Sequence, residues 1–234
     1  MPSMDLSEIF VLLFSGFLAG KFLLNWYATL MLAWPGERGE WEKAVLALLP
    51  FLALLIIVTT LKTWASFDVV DSLLWISFYT VLGFAWLWLG VLSMSAFFDI
   101  SWQDDMLNVN NKAALWAFSG GFLGLTVNYA GANVGDGPGW WCVVFTGGLS
   151  LALWIALGSL LNHFTDVFER ITVEKNLPCG IRFGLFLLLN GILLGNASAG
   201  NWTSVQITLV EFAVAWPVLP LTLLAIVIER LCVK

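Results

Sequence analysis

The chain alternates long apolar runs with short polar breaks. Seven runs, 6–33, 43–63, 70–97, 111–132, 139–162, 178–198 and 204–228, have about the 20-residue length of a bilayer-crossing helix. Turn or charge signals separate them: Pro35-Gly36-Glu37-Arg38, Ser66-Phe67-Asp68, Asp99 to Asn111, Gly135-Asp136-Gly137-Pro138, Asp166 to Pro178, and Ala199-Gly200-Asn201. The third run, as long as the first, either tilts or extends into a loop. The pattern predicts an all-α fold, a polytopic transmembrane helical bundle of about seven spans.

The run from Asn111 to Gly131 differs from the rest. Ala113, Ala117, Gly120, Gly121, Gly124, Asn128 and Gly131 recur at steps of about three or four residues, which places them along one stripe of a helix. Lipid needs no glycine stripe. Two backbones approaching closely do need one, because no hydrophobic effect drives helices together inside a bilayer. Gly180, Gly184, Gly191 and Gly195 form a second seam in the sixth run, expected to face the first. Gly120, Gly124, Gly180, Gly184, Gly191 and Gly195 are thus the expected packing positions. Gly16 and Gly20 repeat the spacing in the first run.

The two seams open in similar ways. Asn111-Lys112-Ala113-Ala114 starts one and Asn176-Leu177-Pro178-Cys179-Gly180 the other, each after a charged loop. The segments before them echo as well, Phe98-Asp99-Ile100-Ser101 against Glu169-Arg170-Ile171-Thr172. Both units enter from the same side, so they form a parallel internal repeat of helix pairs, unlike the inverted repeats of many transporters.

Composition narrows the picture. Of the 234 residues 60% are hydrophobic and 11% charged, where a soluble domain carries about 25% charge. No sizeable soluble domain fits beside the spans. Arg38, Lys43, Lys112, Arg170, Lys175, Arg182, Arg230 and Lys234 fall in one set of loops, and only Lys62 in the other. The positive-inside rule then sets the N-terminus outside and the C-terminus in the cytoplasm, which an odd span count requires. The formal charge of −6 marks no acidic surface, since both signs occupy the loops. Without a basic patch, no nucleic-acid partner is expected. The 14 Trp and 18 Phe read mainly as interfacial belts and lipid-facing surface. MPSMDLSEIF has no cationic n-region, and no cleavage site stands out after it, so the first span is expected to be retained.

The motif N-x-A-A followed by A-F-S-G-x-x-L-G, here Asn111, Ala113, Ala114, Ala117, Phe118, Ser119, Gly120, Leu123 and Gly124, resembles the YjfL-type family of bacterial inner-membrane proteins. The match is strongest over about 98–131 and looser to about 202. In the second unit Asn176, Gly180, Gly184 and Gly191 carry it, with Leu177-Pro178-Cys179 where the family tends to have T-A-A. The resemblance implies a four-helix membrane unit at 69–202, two added N-terminal helices at 1–68, and a C-terminal helix with a short cytoplasmic end at 203–234. It implies a bacterial inner membrane and no reaction.

Candidate chemistry is sparse. Cys142, Cys179 and Cys232 show no metal spacing and read as structural thiols. The single histidine, His163, excludes most haem arrangements and reads as a solvated side chain near a helix end. No HExxH, nucleotide-binding glycine loop, Ser/His/Asp set or potassium filter is present. The last span has no lysine for retinal. The expectation is a protein that is not an enzyme and holds no cofactor or metal. Asp136-Gly137-Pro138-Gly139-Trp140-Trp141 reads as a tight turn followed by a Trp anchor.

Three ionisable residues fall within spans: Lys21, Arg182 and Glu211. Such groups face protein or a water-filled cavity by default. Arg182 is close enough to a span end to snorkel. Lys21 and Glu211 have opposite signs and are expected to couple if the last helix packs on the first, although their depths differ by about 10 Å. Ser119, Thr126, Asn128, Asn190 and Asn196 add polar groups near the seams. They read as interhelical hydrogen bonds worth about 0.6–2 kcal/mol each. Two functions follow. One is a non-enzymatic structural or accessory subunit, a homo-oligomer or a partner of other membrane subunits in the lipid bilayer. The other is an ion or small-solute channel or transporter, with Lys21, Ser119, Asn128, Arg182, Asn190 and Glu211 as its polar path.

Overall fold

The computed structural model describes residues 4–33 and 39–232. The Pro35–Arg38 turn and Lys234, assigned above to the cation-rich loops, lie outside them. The described residues form α1 (Leu6–Ala33), α2 (Glu40–Thr63), a one-turn α3 (Phe67–Val70), α4 (Leu73–Phe98), α5 (Lys112–Gly131), α6 (Trp140–Thr165), α7 (Val167–Thr172), α8 (Leu177–Ser198), α9 (Val205–Glu211) and α10 (Val218–Cys232). A wide π-helical turn, Trp102–Asn108, joins α4 to α5, and a 3-10 turn, Phe212–Ala215, joins α9 to α10. Among these residues the only β pairing is a single bridge, Ala65 to Gly135.

Among the described residues six segments are long and apolar enough to cross a membrane: α1, α2, α4, α6, α8 and the stretch Val205–Cys232. The chain is a multi-pass, all-helical membrane protein. α5 falls outside that set because glycines, Asn128 and Tyr129 dilute its apolar content. It is also the interior helix of the bundle, packed against α2, α4, α6 and α8, with 13 of its 20 residues buried. A helix shielded by protein has less need of an apolar surface than one facing lipid.

Two boundaries differ from the sequence pattern. The helix of the third run starts late, at Leu73, because Ser72 accepts a hydrogen bond from the Trp75 N–H and caps α4, while Val70 ends the short α3. The last run is broken. Pro217 has no N–H, so it cannot donate to the carbonyl four residues back, although Trp216 itself keeps helical backbone angles. The Ala213 carbonyl, four residues before it, instead accepts from the Trp216 N–H at 3.0 Å.

Among the described residues, twelve of the 32 Trp and Phe are buried and build the interior, while others such as Phe10, Trp41, Phe51 and Trp216 stay exposed on the outside. Trp26 is fully buried and stacks on Trp102 at 4.2 Å between ring centroids, with Phe118 and Phe122 beside it. Phe98, also fully buried, meets Trp154, Phe168 and Phe183 at 5.1–5.7 Å. Shape decides these places, since flat rings fill gaps between helices as readily as they face lipid.

Trp26 also repairs a backbone defect. Pro50 lies inside α2 and cannot donate to the Leu46 carbonyl. Trp26 Nε1 donates to that carbonyl at 3.1 Å, and the Tyr27 hydroxyl donates to the next one, Ala47, also at 3.1 Å. An unpaired carbonyl in a lipid-filled surrounding is costly, so this bond ties α1 to α2.

The loops gather at two ends. At one, Gly39 approaches Asn110, Asn111 reaches Ile171, and Arg170 meets Glu229. This end holds Lys43, Lys112, Arg170, Lys175 and Arg230, with Arg182 just inside α8. At the other, the Gly135 N–H donates to the Trp64 carbonyl, Gly200 to Val134 and Trp202 to Asp136. Lys62 lies near that second end. Trp140 reaches Ser7 there through Nε1, and Trp141 packs edge-on to Trp202, so both serve as anchors onto the protein itself.

Trp26→Phe keeps the ring but loses the donor, and is expected to cost about 1–3 kcal/mol in thermal or detergent unfolding. In a Pro50→Ala background, where residue 50 donates to Leu46 itself, the same change should cost clearly less. Equal losses in both backgrounds would refute the carbonyl repair.

Candidate functional site

α5 and α8 run side by side in the same direction, backbone against backbone. A Cβ added at Gly120 would lie 2.1 Å from the Gly184 carbonyl oxygen, and one at Gly184 would lie 2.3 Å from that of Trp116. Gly180 meets Ala113, Gly191 meets Gly124 and Gly131 meets Gly195 at 2.2–2.3 Å by the same measure. Gly124 and Gly195 lie 2.6 and 2.8 Å from the Leu187 and Val127 oxygens. All six packing glycines expected from the sequence therefore lie on one contact. Gly16 and Gly20 do not form a comparable seam: a Cβ at Gly16 would touch only Val81, at 3.9 Å, and Gly20 has open space.

Asparagines cap both helices. Asn111 Oδ1 accepts from the Ala113 and Ala114 N–H groups, while its Nδ2 donates to the Ile171 carbonyl at 2.8 Å. Asn176 Oδ1 accepts from the Cys179 N–H at 3.1 Å. Before each cap stands a residue with a left-handed backbone, Asn110 (φ 52°) and Lys175 (φ 54°). The same conformation ends α4 at Asp99 (φ 55°) and α6 at Asp166 (φ 52°). Asp166 precedes the Glu169–Thr172 stretch that sequence pairs with Phe98–Ser101, so the backbone geometry recurs at an earlier position than the side-chain echo. Asp and Asn tolerate this conformation better than most residues.

Asn128 and Asn190 are 0% and 1% exposed. Asn128 shares a flank of α5 with Gly121 and Leu125, which meet Met94 and Gly90 of α4. Asn190 shares a flank of α8 with Phe183 and Leu187, which meet Phe98 of α4 and Trp154 of α6. Asn190 Nδ2 donates to the Phe186 carbonyl, and Thr126 Oγ1 to that of Phe122. Both polar atoms of Asn128, Asn190 Oδ1 and Ser119 Oγ have no hydrogen-bond partner among the described residues. Asn196 lies exposed near the end of α8.

The charged residues fall elsewhere than the sequence places them. Lys21 is exposed on α1 and Glu211 is exposed at the end of α9. Neither forms an ion pair among the described residues, which corrects the expected coupling. The cause is topological: α1 packs on α4, whereas α10 packs on α6 and α8. Glu211 instead borders a cleft of about 240 Å³ with Asn196, Asn201, Trp202 and Thr208.

The ionic centre is Glu229 of α10, which the sequence reading did not single out. Its side chain is 4% exposed and holds Arg170 of α7 at 2.7 Å. It also accepts from Arg182 Nη2 at 2.9 Å and from Arg182 Nε, a two-pronged contact. Two guanidiniums thus share one carboxylate. The available signal was an acid late in an apolar helix, Ile228-Glu229, beside Arg230. The next residue, Arg230, leaves the cluster, donating to the Phe164 carbonyl and lying 5.6 Å over that ring. His163 is exposed, as expected. Cys142, Cys179 and Cys232 are free thiols, the first two buried.

Comparisons with protein-family models, with curated proteins and with solved structures return no match. Among the described residues no group of three or more His, Cys, Asp and Glu is placed to hold a metal.

Asp105, in the turn before α5, accepts from the Ser101 N–H at 2.8 Å. Burial pushes its carboxyl above the usual range. The Ser101 bond opposes this, Asp99 and Asp104 add to it, and Lys175 opposes it. A raised folded-state pKa means stability that is present at low pH and lost as pH rises through that pKa. Relative to wild type, Asp105→Asn should therefore gain thermal stability as pH rises through the carboxylate range. A melting-temperature difference that does not vary with pH would contradict the burial argument.

The seam yields a second expectation. Gly184→Ala drives a methyl into the Trp116 backbone and should cost about 1–3 kcal/mol. Gly148→Ala, which meets nothing within 4 Å, should be neutral or slightly stabilising. Similar unfolding midpoints for the two variants would rule out the tight contact.

Proposed function

We propose that this chain is a non-enzymatic structural or accessory subunit of a bacterial inner-membrane assembly. In this reading α5 is one of seven crossings, the N-terminus lies outside and the C-terminus in the cytoplasm. The pairs α4–α5 and α6–α8 are a parallel duplication, the first carrying the YjfL-like motif. Support for the orientation comes from the cations gathered at one end against Lys62 near the other. The recurring left-handed residues and asparagine caps support the duplication.

The closed seam carries the functional reading. α5 and α8 leave no room between their backbones, and Asn128 and Asn190 are buried in packed protein. The Glu211 cleft and the cleft beside Arg182 and Glu229 include neither asparagine. Large apolar side chains such as Phe10, Leu13 and Phe17 of α1 remain exposed, suited to lipid or to further subunits, including copies of this chain.

A solute path is the second reading, and Asn128 is what favours it. An unpartnered buried amide carries a desolvation cost of about 1–3 kcal/mol that a passing ion or solute would offset. Proteoliposome flux separates the two. Purified protein should leak ions no faster than empty vesicles across a broad ion panel, while cross-linking in native membranes recovers a defined assembly. Saturable flux that Asn128→Leu abolishes would replace the subunit reading with the transport one.

A further inference from the structure

Between α8 and α10, bordered by Leu161 of α6, lies a cleft of about 210 Å³. Its walls include Phe186 and Leu189 on one side and Leu221 and Ala225 on the other. Apart from Arg182 and Glu229 every residue lining it is apolar. From Arg182 to Leu189 the groove follows about two turns of α8, roughly 10 Å at 1.5 Å per residue. Both flanking helices belong to segments long and apolar enough to cross a bilayer. Whatever fills the groove from the side is therefore a hydrocarbon chain.

The polar end is unbalanced in charge. Arg170 and Arg182 share only Glu229, which leaves one positive charge in excess. Arg170 is almost enclosed, whereas the Arg182 side chain is 29% exposed. Arg182 uses Nε and Nη2 on Glu229, while Nη1 makes no hydrogen bond among the described residues. A guanidinium held on one edge by a carboxylate presents its other N–H groups at fixed angles, and these suit a phosphate oxygen. Basic pockets between membrane helices select anionic headgroups in this way.

We propose that this cleft binds an anionic phospholipid, one acyl chain lying along α8 and α10 and the phosphate on Arg182. Glu229 is a positioning residue. It holds Arg182 at the groove, pairs with the enclosed Arg170 behind it, and limits the site to one net charge, so that a single anionic lipid neutralises it. The site depends only on the membrane character of the helices and stands whether the protein is a subunit or a transporter.

Delipidated protein in neutral detergent, titrated with phosphatidylglycerol or phosphatidylcholine and read by native mass spectrometry, tests the site. Wild type should retain one phosphatidylglycerol with a preference of roughly fivefold over phosphatidylcholine, the effect of about one basic charge. Arg182→Gln leaves a neutral Arg170–Glu229 pair, so the protein should still fold, bind both lipids and lose the preference. Ala225→Phe fills the groove without touching the charges and should remove retention of both. Three results would overturn the proposal: equal retention of the two lipids by wild type, an Arg182→Gln preference like that of wild type, or displacement of the lipid by inorganic phosphate alone.

Discussion

The contact between α5 and α8 governs the rest of the bundle. Two helices can touch through their backbones only where side chains vanish, and here glycine supplies that on both sides. Around that pair α2, α4, α6 and α10 pack, and α1 in turn packs on α4. α4 and α6 cover one side, where Phe98, Trp154 and Phe183 interlock. α1 and α2 approach α5 through Trp26, Phe118 and Phe122. α10 comes in from the α8 side and is held by Glu229.

A second constraint acts on the backbone. In lipid each carbonyl needs a donor from within the protein. Pro50 and Pro217 both break that supply, with different outcomes. At Pro50 the helix continues because Trp26 donates from a neighbour. At Pro217 the preceding segment tightens into a 3-10 turn and the helix is interrupted. A side chain within reach separates a tolerated proline from a helix break.

Six apolar spans and the small-residue stripes that meet between α5 and α8 were legible because length and residue spacing are local properties. Asn111 and Asn176 were visible as helix openings for the same reason, since a cap is written in adjacent residues. What pairs with what was not legible. Lys21 and Glu211 have suitable signs, but the order of helices around the bundle separates them, and that order comes from tertiary packing. Glu229 escaped notice because its partners lie 59 and 47 residues away. Which of the aromatics turn inward was not legible either: composition counts them but does not say which face a cavity of their own shape. Asn111 joins both kinds, its cap predictable and its bond to Ile171 not.

The helix least suited to lipid is the one placed deepest, and this bears on how the chain is made. Ala113 meets Gly180 on the seam, and the difference between those positions, 180 − 113, is 67 residues. At about 5–20 residues per second, α5 leaves the ribosome roughly 3–13 s before its partner. During that interval its glycine stripe has no backbone to rest on, and α2 and α4 are the neighbours already synthesised. α2, α4 and then α6 are in place to cover the other flanks of α5, and the seam closes only when α8 arrives. Biogenesis of this protein is thus a waiting problem, set by how far apart the two halves of one seam are encoded.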